Sequence, residues 1–383
     1  MKRSSILLLL LFFLVTSETV DVNLIHLSSV SINPNYIIYP LSILQIVFAT
    51  VQAGLSDYYS RKKSILFGFV IILISLCFFV LSYWKYKLFF ISLFIVFLGV
   101  GGNVMPMALA ALGDLTHAKN FRFILSIAIA AIALGSFGPL HLDNYLSDSS
   151  AFILTVIIVS SACILCSLLP KKTTHSTSEK FSIKTECSTI YQKFLKNKTF
   201  LLALFGFFFV ETSFYQIFLR DEAGTNHSFF RYIPIKFGIA YFIGTAALKY
   251  SRASDIKNVI RGFWISFISV GFLSILYFFG LVESWLVWIS MIGAMGYAYG
   301  YALFTPSLFS FVSKYHSSHD YGKIFGLIDS TDTLALISAF SIINFTKHIS
   351  INSIYLLSTS IIIIAGVMFF MLNKGNHAKE QTM

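Results

Sequence analysis

Ala53-Gly54-Leu55-Ser56-Asp57-Tyr58-Tyr59-Ser60-Arg61-Lys62-Lys63 separates two apolar runs, 37–52 and 64–83. A helix needs about 20 residues to cross the hydrocarbon core of a bilayer. The stretch therefore reads as a short basic turn joining two membrane-spanning helices. Its closing Arg-Lys-Lys fits the face of the membrane that retains positive charge. An ordinary positively charged loop would carry the same residues, so the rest of the chain must show whether this one is more.

The composition places most of the surface in lipid. Of 383 residues, 56% are hydrophobic and 12% charged, with a mean hydropathy of +0.78. A soluble domain carries about 25% charged residues. The net charge of +11 is high enough to raise nucleic acid as a partner. The charges, however, fall in short clusters between apolar runs, which is the pattern of membrane topology. Cys77, Cys163, Cys166 and Cys187 form no secreted disulfide framework. Cys163 and Cys166 lie inside an apolar run, where they read as small packing residues rather than a redox pair.

Twelve spans are expected, at about 5–28, 37–56, 64–83, 88–112, 122–145, 150–170, 199–219, 233–251, 258–279, 284–311, 323–345 and 351–373. The first begins Met1-Lys2-Arg3 and resembles a signal peptide, but its apolar pattern runs on far enough to cross. It is read as a retained helix in which Glu18 and Asp21 face inward. The longest connection, 171–198, is rich in Lys, Thr and Ser. It divides the chain into an N-terminal bundle of six helices (1–170), a cytoplasmic connecting loop (171–198) and a C-terminal bundle of six (199–383). With both termini cytoplasmic, 22 of the 28 Lys and Arg fall on the cytoplasmic side. The other six, Lys85, Lys87, Arg220, Arg231, Lys236 and Lys347, fall opposite. A wrong number of spans would blur that asymmetry.

With the layout in place, the opening stretch resembles the loop after the second helix of major facilitator transporters, Gly-x-Leu-Ser-Asp-Arg-x-Gly-Arg-Arg. Leu55, Ser56, Asp57, Arg61 and Lys62 match; Ala53, Tyr58 and Ser60 depart from it. Phe97-Leu98-Gly99-Val100-Gly101-Gly102-Asn103, followed by 108–114, is similar to the family's fourth helix. Ala133-Leu134-Gly135-Ser136-Phe137-Gly138-Pro139 is similar to its fifth-helix motif, one residue short before the proline and with Leu142-Asp143 in place of a closing Gly-Gly. Thr305-Pro306-Ser307 and Tyr321-Gly322-Lys323-Ile324-Phe325-Gly326 resemble the tenth helix and the start of the eleventh. Asp21 and the stretch 206–216 look like drug:proton antiporters of the bicyclomycin-resistance type. Those antiporters carry an Arg four residues before the fourth helix's first Gly. Here that position is Ile95, which puts antiport in doubt.

The resemblance implies an all-α membrane protein of twelve transmembrane helices in two six-helix bundles, working by alternating access about a midplane site. It implies a small-molecule substrate, protons as coupling ion, no cofactor, and a monomer in a bacterial inner membrane. Proton-coupled efflux of amphipathic or cationic compounds is the function expected. Uptake of a nutrient is the alternative within transport. A polytopic enzyme is the alternative outside it. The nine histidines are scattered and no Gly-x-x-x-x-Gly-Lys loop is present, which weighs against catalysis and against ATP.

A carboxylate in hydrocarbon costs about 2.5–3.5 kcal/mol on insertion scales, so those within spans mark candidate sites. Glu18 and Asp21 share a helix face and compete for one negative charge, as a proton acceptor should. Water at the external mouth would serve the pair equally well. Glu211 lies mid-span in the seventh helix, the counterpart of the first; a hydrogen bond to a neighbouring helix, for example through a Ser or Thr, would account for it as well. Asp332 is the fourth proton-coupling candidate. The resemblance assigns Asp57, Arg61, Asp114 and Asp329 to a conformational latch in which the loop aspartate meets the start of the eleventh helix. For Asp329, the macrodipole of that helix is explanation enough. Candidate cavity-lining residues are Asn103, Met107, Tyr215, Tyr297, Tyr301 and Phe304. Tyr297, Tyr301 and Phe304 fall on one face and could stack on a cation, or simply pack. Met105-Pro106-Met107 suits an adaptable apolar wall with a local kink.

Overall fold

The computed structural model describes residues 3–29, 35–83, 86–116, 120–142, 148–170, 188, 190–224, 233–278, 286–314, 316, 320–346 and 351–380. Among them are thirteen α-helices and no strand. These are α1 (Arg3–Ser29), α2 (Asn35–Tyr58), α3 (Arg61–Leu81), α4 (Lys87–Gly101), α5 (Val104–Leu115), α6 (Phe121–Leu142) and α7 (Asp148–Cys166). After a π-helical turn at Tyr191–Leu195 come α8 (Lys198–Gly224), α9 (Ile233–Tyr250) and α10 (Asp255–Phe278). The last are α11 (Leu286–Lys314), α12 (Tyr321–Thr346) and α13 (Ile351–Glu380). Eight stretches are long and apolar enough to cross a membrane among the described residues. Large apolar side chains such as Leu88, Ile164 and Phe345 are exposed, at 75%, 71% and 86%. In water such a surface would aggregate; lipid tails are its natural solvent.

Thirteen helices make twelve spans because one span is broken. The fourth is expected as a single helix, and the structure divides it into α4 and α5 at Gly102-Asn103. The reason is Pro106, which has no N–H to offer the carbonyl of Gly102 and whose ring crowds it. Other groups take up the freed carbonyls. Asn103 donates from Nδ2 to the Gly99 carbonyl at 2.9 Å, and Ser17 of α1 donates from Oγ to the Gly102 carbonyl at 3.4 Å. In hydrocarbon such substitutes are obligatory, since water is not there to solvate a bare carbonyl.

The chain forms two compact units. One comprises Met1–Ile124, Ala131–Glu186 and His316–Thr333; the other comprises Leu125–Ala130, Cys187–Tyr315 and Leu334–Met383. The start of α12 therefore packs with the first unit. There α1 lies against α5 and α7, and α3 against α4, α5 and α7. In the second unit α8 lies against α13, and α11 against both α9 and α10.

Candidate functional site

In the first unit a charged cluster forms where α2 ends and α3 begins. Asp57 lies in the last turn of α2 and Arg61 opens α3; both are 1% exposed. Arg61 Nη2 sits 2.5 Å from Asp57 Oδ1, and its Nε donates to Asp114 Oδ2 at 3.0 Å near the end of α5. A third arm, Nη1, donates to Ser56 Oγ at 2.5 Å. One guanidinium thus ties together three helices. Its planar fork of donors suits that task better than the single ammonium of lysine.

Asp57 has a second role. Its Oδ1 accepts from the backbone N–H of Gly322 at 2.9 Å, and its Oδ2 from that of Lys323 at 3.1 Å. These N–H groups belong to the first turn of α12 and have no partner within their own helix. A carboxylate supplied by α2 therefore caps α12, with the helix macrodipole adding to the attraction. The close approach requires glycine at 322. A Cβ there would lie 2.6 Å from Asp57 Oδ1 and 2.7 Å from Arg61 Nη1. Tyr321 stacks on Phe121 at 5.4 Å, and the buried Lys323 ammonium lies 5.1 Å over the Tyr58 ring. Asp329 is half-buried and stands about 10 Å further along α12 than Gly322. Asp332, one turn beyond, is also half-buried.

The second unit holds a different arrangement around Glu211, which is 1% exposed on α8. Tyr301 of α11 donates its hydroxyl to Glu211 Oε1 at 2.6 Å. Aromatic rings surround this bond. Phe214 is stacked on Tyr297 at 5.5 Å and on Tyr301 at 5.7 Å, with interplanar angles of 7° and 23°. Tyr241 of α9 lies at 6.2 Å from Tyr301. Tyr241 and Tyr297 both lie within the electrostatic reach of the Glu211 carboxyl. Tyr215 is half-buried and tilted against Phe214 at 5.5 Å. The result is one carboxyl group, donors on its rim and the faces of several π-systems, all on the second unit.

The remaining candidates fall elsewhere. Phe304 is 1% exposed and meets Phe369 edge-on at 5.2 Å, so it packs α11 on α13 rather than joining the Glu211 group. Met107 is fully buried, with its Cε beside Gly68 of α3. Asn103 is 2% exposed and commits its amide N–H2 to main-chain carbonyls. Glu18 and Asp21 lie on α1, and their side chains are outside the described residues. Reading the sequence overlooked Tyr241 and Phe214, because nothing separates them from the many aromatics of an apolar run. It also gave Ser56 no role, although Arg61 spends a donor on it.

The Major Facilitator Superfamily family model matches residues 5–340. This chain belongs to that superfamily. It is a transmembrane transporter and not an enzyme, and it is an integral membrane protein of twelve spans in two six-helix bundles. A search of curated proteins finds no match. Among solved structures, the human organic anion transporter MFSD10 (TETRAN) aligns with a TM-score of 0.75 at 14% identity, over 97% of this chain and 100% of the other. A bacterial homologue of the iron transporter ferroportin aligns with a TM-score of 0.76 at 12% identity, over 98% and 100%. The fucose:proton symporter FucP of E. coli aligns with a TM-score of 0.68 at 15% identity, over 96% and 98%. Identities this low speak for the fold alone.

Proposed function

We propose that this transporter exports small amphipathic or cationic compounds in exchange for protons, and that Glu211 is the group at which proton and cargo compete. The observation that carries this reading is the Glu211–Tyr301 hydrogen bond inside a stack of aromatic rings. A buried carboxyl can hold a proton or neutralise a cation, but not both at once. Ring faces attract cations and tolerate varied apolar shapes. Protonation from one side of the membrane would expel the cargo; loss of the proton would readmit it.

In this reading Asp21, Glu18 and Asp332 are further proton-coupling groups, and Tyr215, Tyr297 and Tyr301 line the cargo site on the second unit. Asp57, Arg61 and Asp114 form the latch that alternating access makes and breaks, and Asp329, two turns along α12, stands apart from it. The chain works as a monomer in a bacterial inner membrane with both termini cytoplasmic. A second reading, uptake of a nutrient with protons, is favoured by Ile95, which stands where drug antiporters carry Arg. FucP, itself a fucose:proton symporter, fits that reading too.

The deciding experiment imposes a pH gradient on proteoliposomes containing the full chain, Glu211→Gln or Asp21→Asn. Cations, drugs, amino acids and sugars are added in turn. Collapse of the gradient by a cationic compound, lost in both variants, is the expected result. A metabolite that crosses without moving protons would overturn antiport.

A further inference from the structure

Three buried hydroxyls on α9 and α11 lack something other hydroxyls of this chain have. Buried threonines in helices usually turn back on the carbonyl four residues earlier. Thr155, Thr212 and Thr346 do so, donating to Ala151, Phe208 and Ile342 at 2.8, 2.8 and 2.6 Å. Thr245 of α9 and Thr305 of α11, 6% and 2% exposed, do not, and their Oγ1 atoms find no partner in the protein. The hydroxyl of Tyr241, 1% exposed, finds none either. A buried hydroxyl left unbonded is costly, and three on the two helices that carry Tyr241 and Tyr301 call for a bridging water; Thr16, Ser307 and Ser313 share the condition.

Their placement is ordered. Tyr241 and Thr245 are four apart on α9, and Tyr301 and Thr305 are four apart on α11, so each pair shares a helix face. In a chain that crosses the bilayer at every span, α9 and α11 run in the same direction. They approach closely here: a Cβ on Gly244 would lie 2.7 Å from Ala302 Cβ and 2.9 Å from the Tyr299 carbonyl. Thr245 follows Gly244 directly, and Thr305 is three residues past Ala302, so the two threonines sit at similar depth. One turn after Thr245 the α9 face reaches Lys249, which is exposed. From Tyr241 to Lys249 the rise is about 12 Å.

We propose that Tyr241, Thr245 and Thr305 form a hydroxyl relay that carries protons between Glu211 and the exposed Lys249 end of α9. The inference rests on the reading of Glu211 as a proton-holding group. The transfer balances at each step. The Glu211 carboxyl O–H breaks, and its proton passes through bridging water to a relay hydroxyl oxygen, since none of the three hydroxyls has a hydrogen-bond partner in the protein. That hydroxyl releases its own proton onward in the same shift. Glu211 is left as carboxylate, the relay is chemically unchanged, and one proton leaves at the Lys249 end. Tyr301, Tyr241 and Tyr297 are titratable groups that face Glu211 among the described residues. Cargo and proton then leave the site by different routes.

The test needs no cargo. Infrared difference spectroscopy on the full chain in lipid follows the carbonyl band of the protonated Glu211 carboxyl, identified by its loss in Glu211→Gln. Transfer from H2O to D2O shifts that band as the proton exchanges. Thr245→Val with Thr305→Val should slow the shift about tenfold or more, and Thr245→Ser with Thr305→Ser, which keeps the hydroxyls, should restore it. Tyr241→Phe removes a single oxygen atom and should also slow it, which covers the case of a valine variant that does not fold. A present band with exchange unchanged in all variants overturns the relay and leaves the reading of Glu211 intact. A protonated Glu211 band that appears at no pH overturns both.

Discussion

Asp57 and Glu211 are equally buried, each 1% exposed, yet their surroundings are opposite. Asp57 is held by a guanidinium and two main-chain N–H groups, so its negative charge is matched on every side. Glu211 receives the neutral hydroxyl of Tyr301 and is walled by aromatic rings. The first environment surrounds a carboxylate with a cation and main-chain donors; the second offers a neutral hydroxyl and ring faces. Burial by itself therefore says little about what a carboxyl group does, whereas its partners say a great deal. Asp255 is a useful third case. It accepts from Ser310 Oγ at 2.9 Å and pairs with Lys314 at 2.6 Å, but Lys314 is 55% exposed.

The contrast can be broken most forcibly at Asp57. Asp57→Ala takes one carboxylate partner from the buried Arg61, leaving Asp114, and uncaps α12, at an expected cost of about 3–5 kcal/mol. Reversible unfolding in mixed micelles would measure it; a cost below about 1 kcal/mol would mean that solvent reaches the cluster and the charge is not fixed. Tyr301→Phe comes next. It removes a donor from a carboxyl group, so about 1.5–3 kcal/mol is expected if Glu211 is ionised at the assay pH, and less where it is protonated. Repeating the measurement across pH turns that difference into a titration of Glu211. The smallest effect belongs to Lys314→Ala. A pair with one partner in solvent is worth about 0–1 kcal/mol, and salt should abolish even that. A large cost there would show that exposure is a poor guide to coupling in this chain.

Much of the architecture is legible in the residues. Apolar runs of spanning length, broken by basic clusters, leave little besides twelve helices, because a backbone in hydrocarbon must bond to itself. The division of the fourth span into α4 and α5 is less legible. Pro106 marks a disturbance, but whether it kinks or breaks the helix depends on Ser17 and Asn103 being at hand to bond the freed carbonyls. The site was legible only in part. Glu211, Tyr297 and Tyr301 are brought together, and a mid-span carboxylate is conspicuous from its cost alone. Phe304 shares their helix face in sequence yet turns to Phe369, since which aromatics meet is settled by neighbouring helices.

What the sequence determined by itself was the solvent, the number of spans and which residues were too polar to be there by default. These follow from local transfer energies, which each residue carries wherever it stands. What only the tertiary structure decided was pairing: Asp57 with the first turn of α12, 265 positions away, and Glu211 with Tyr301, 90 positions away. Such partners meet through the packing of whole helices. No local rule of spacing reaches that far, because the distance between two groups on different helices is fixed by every side chain that separates them.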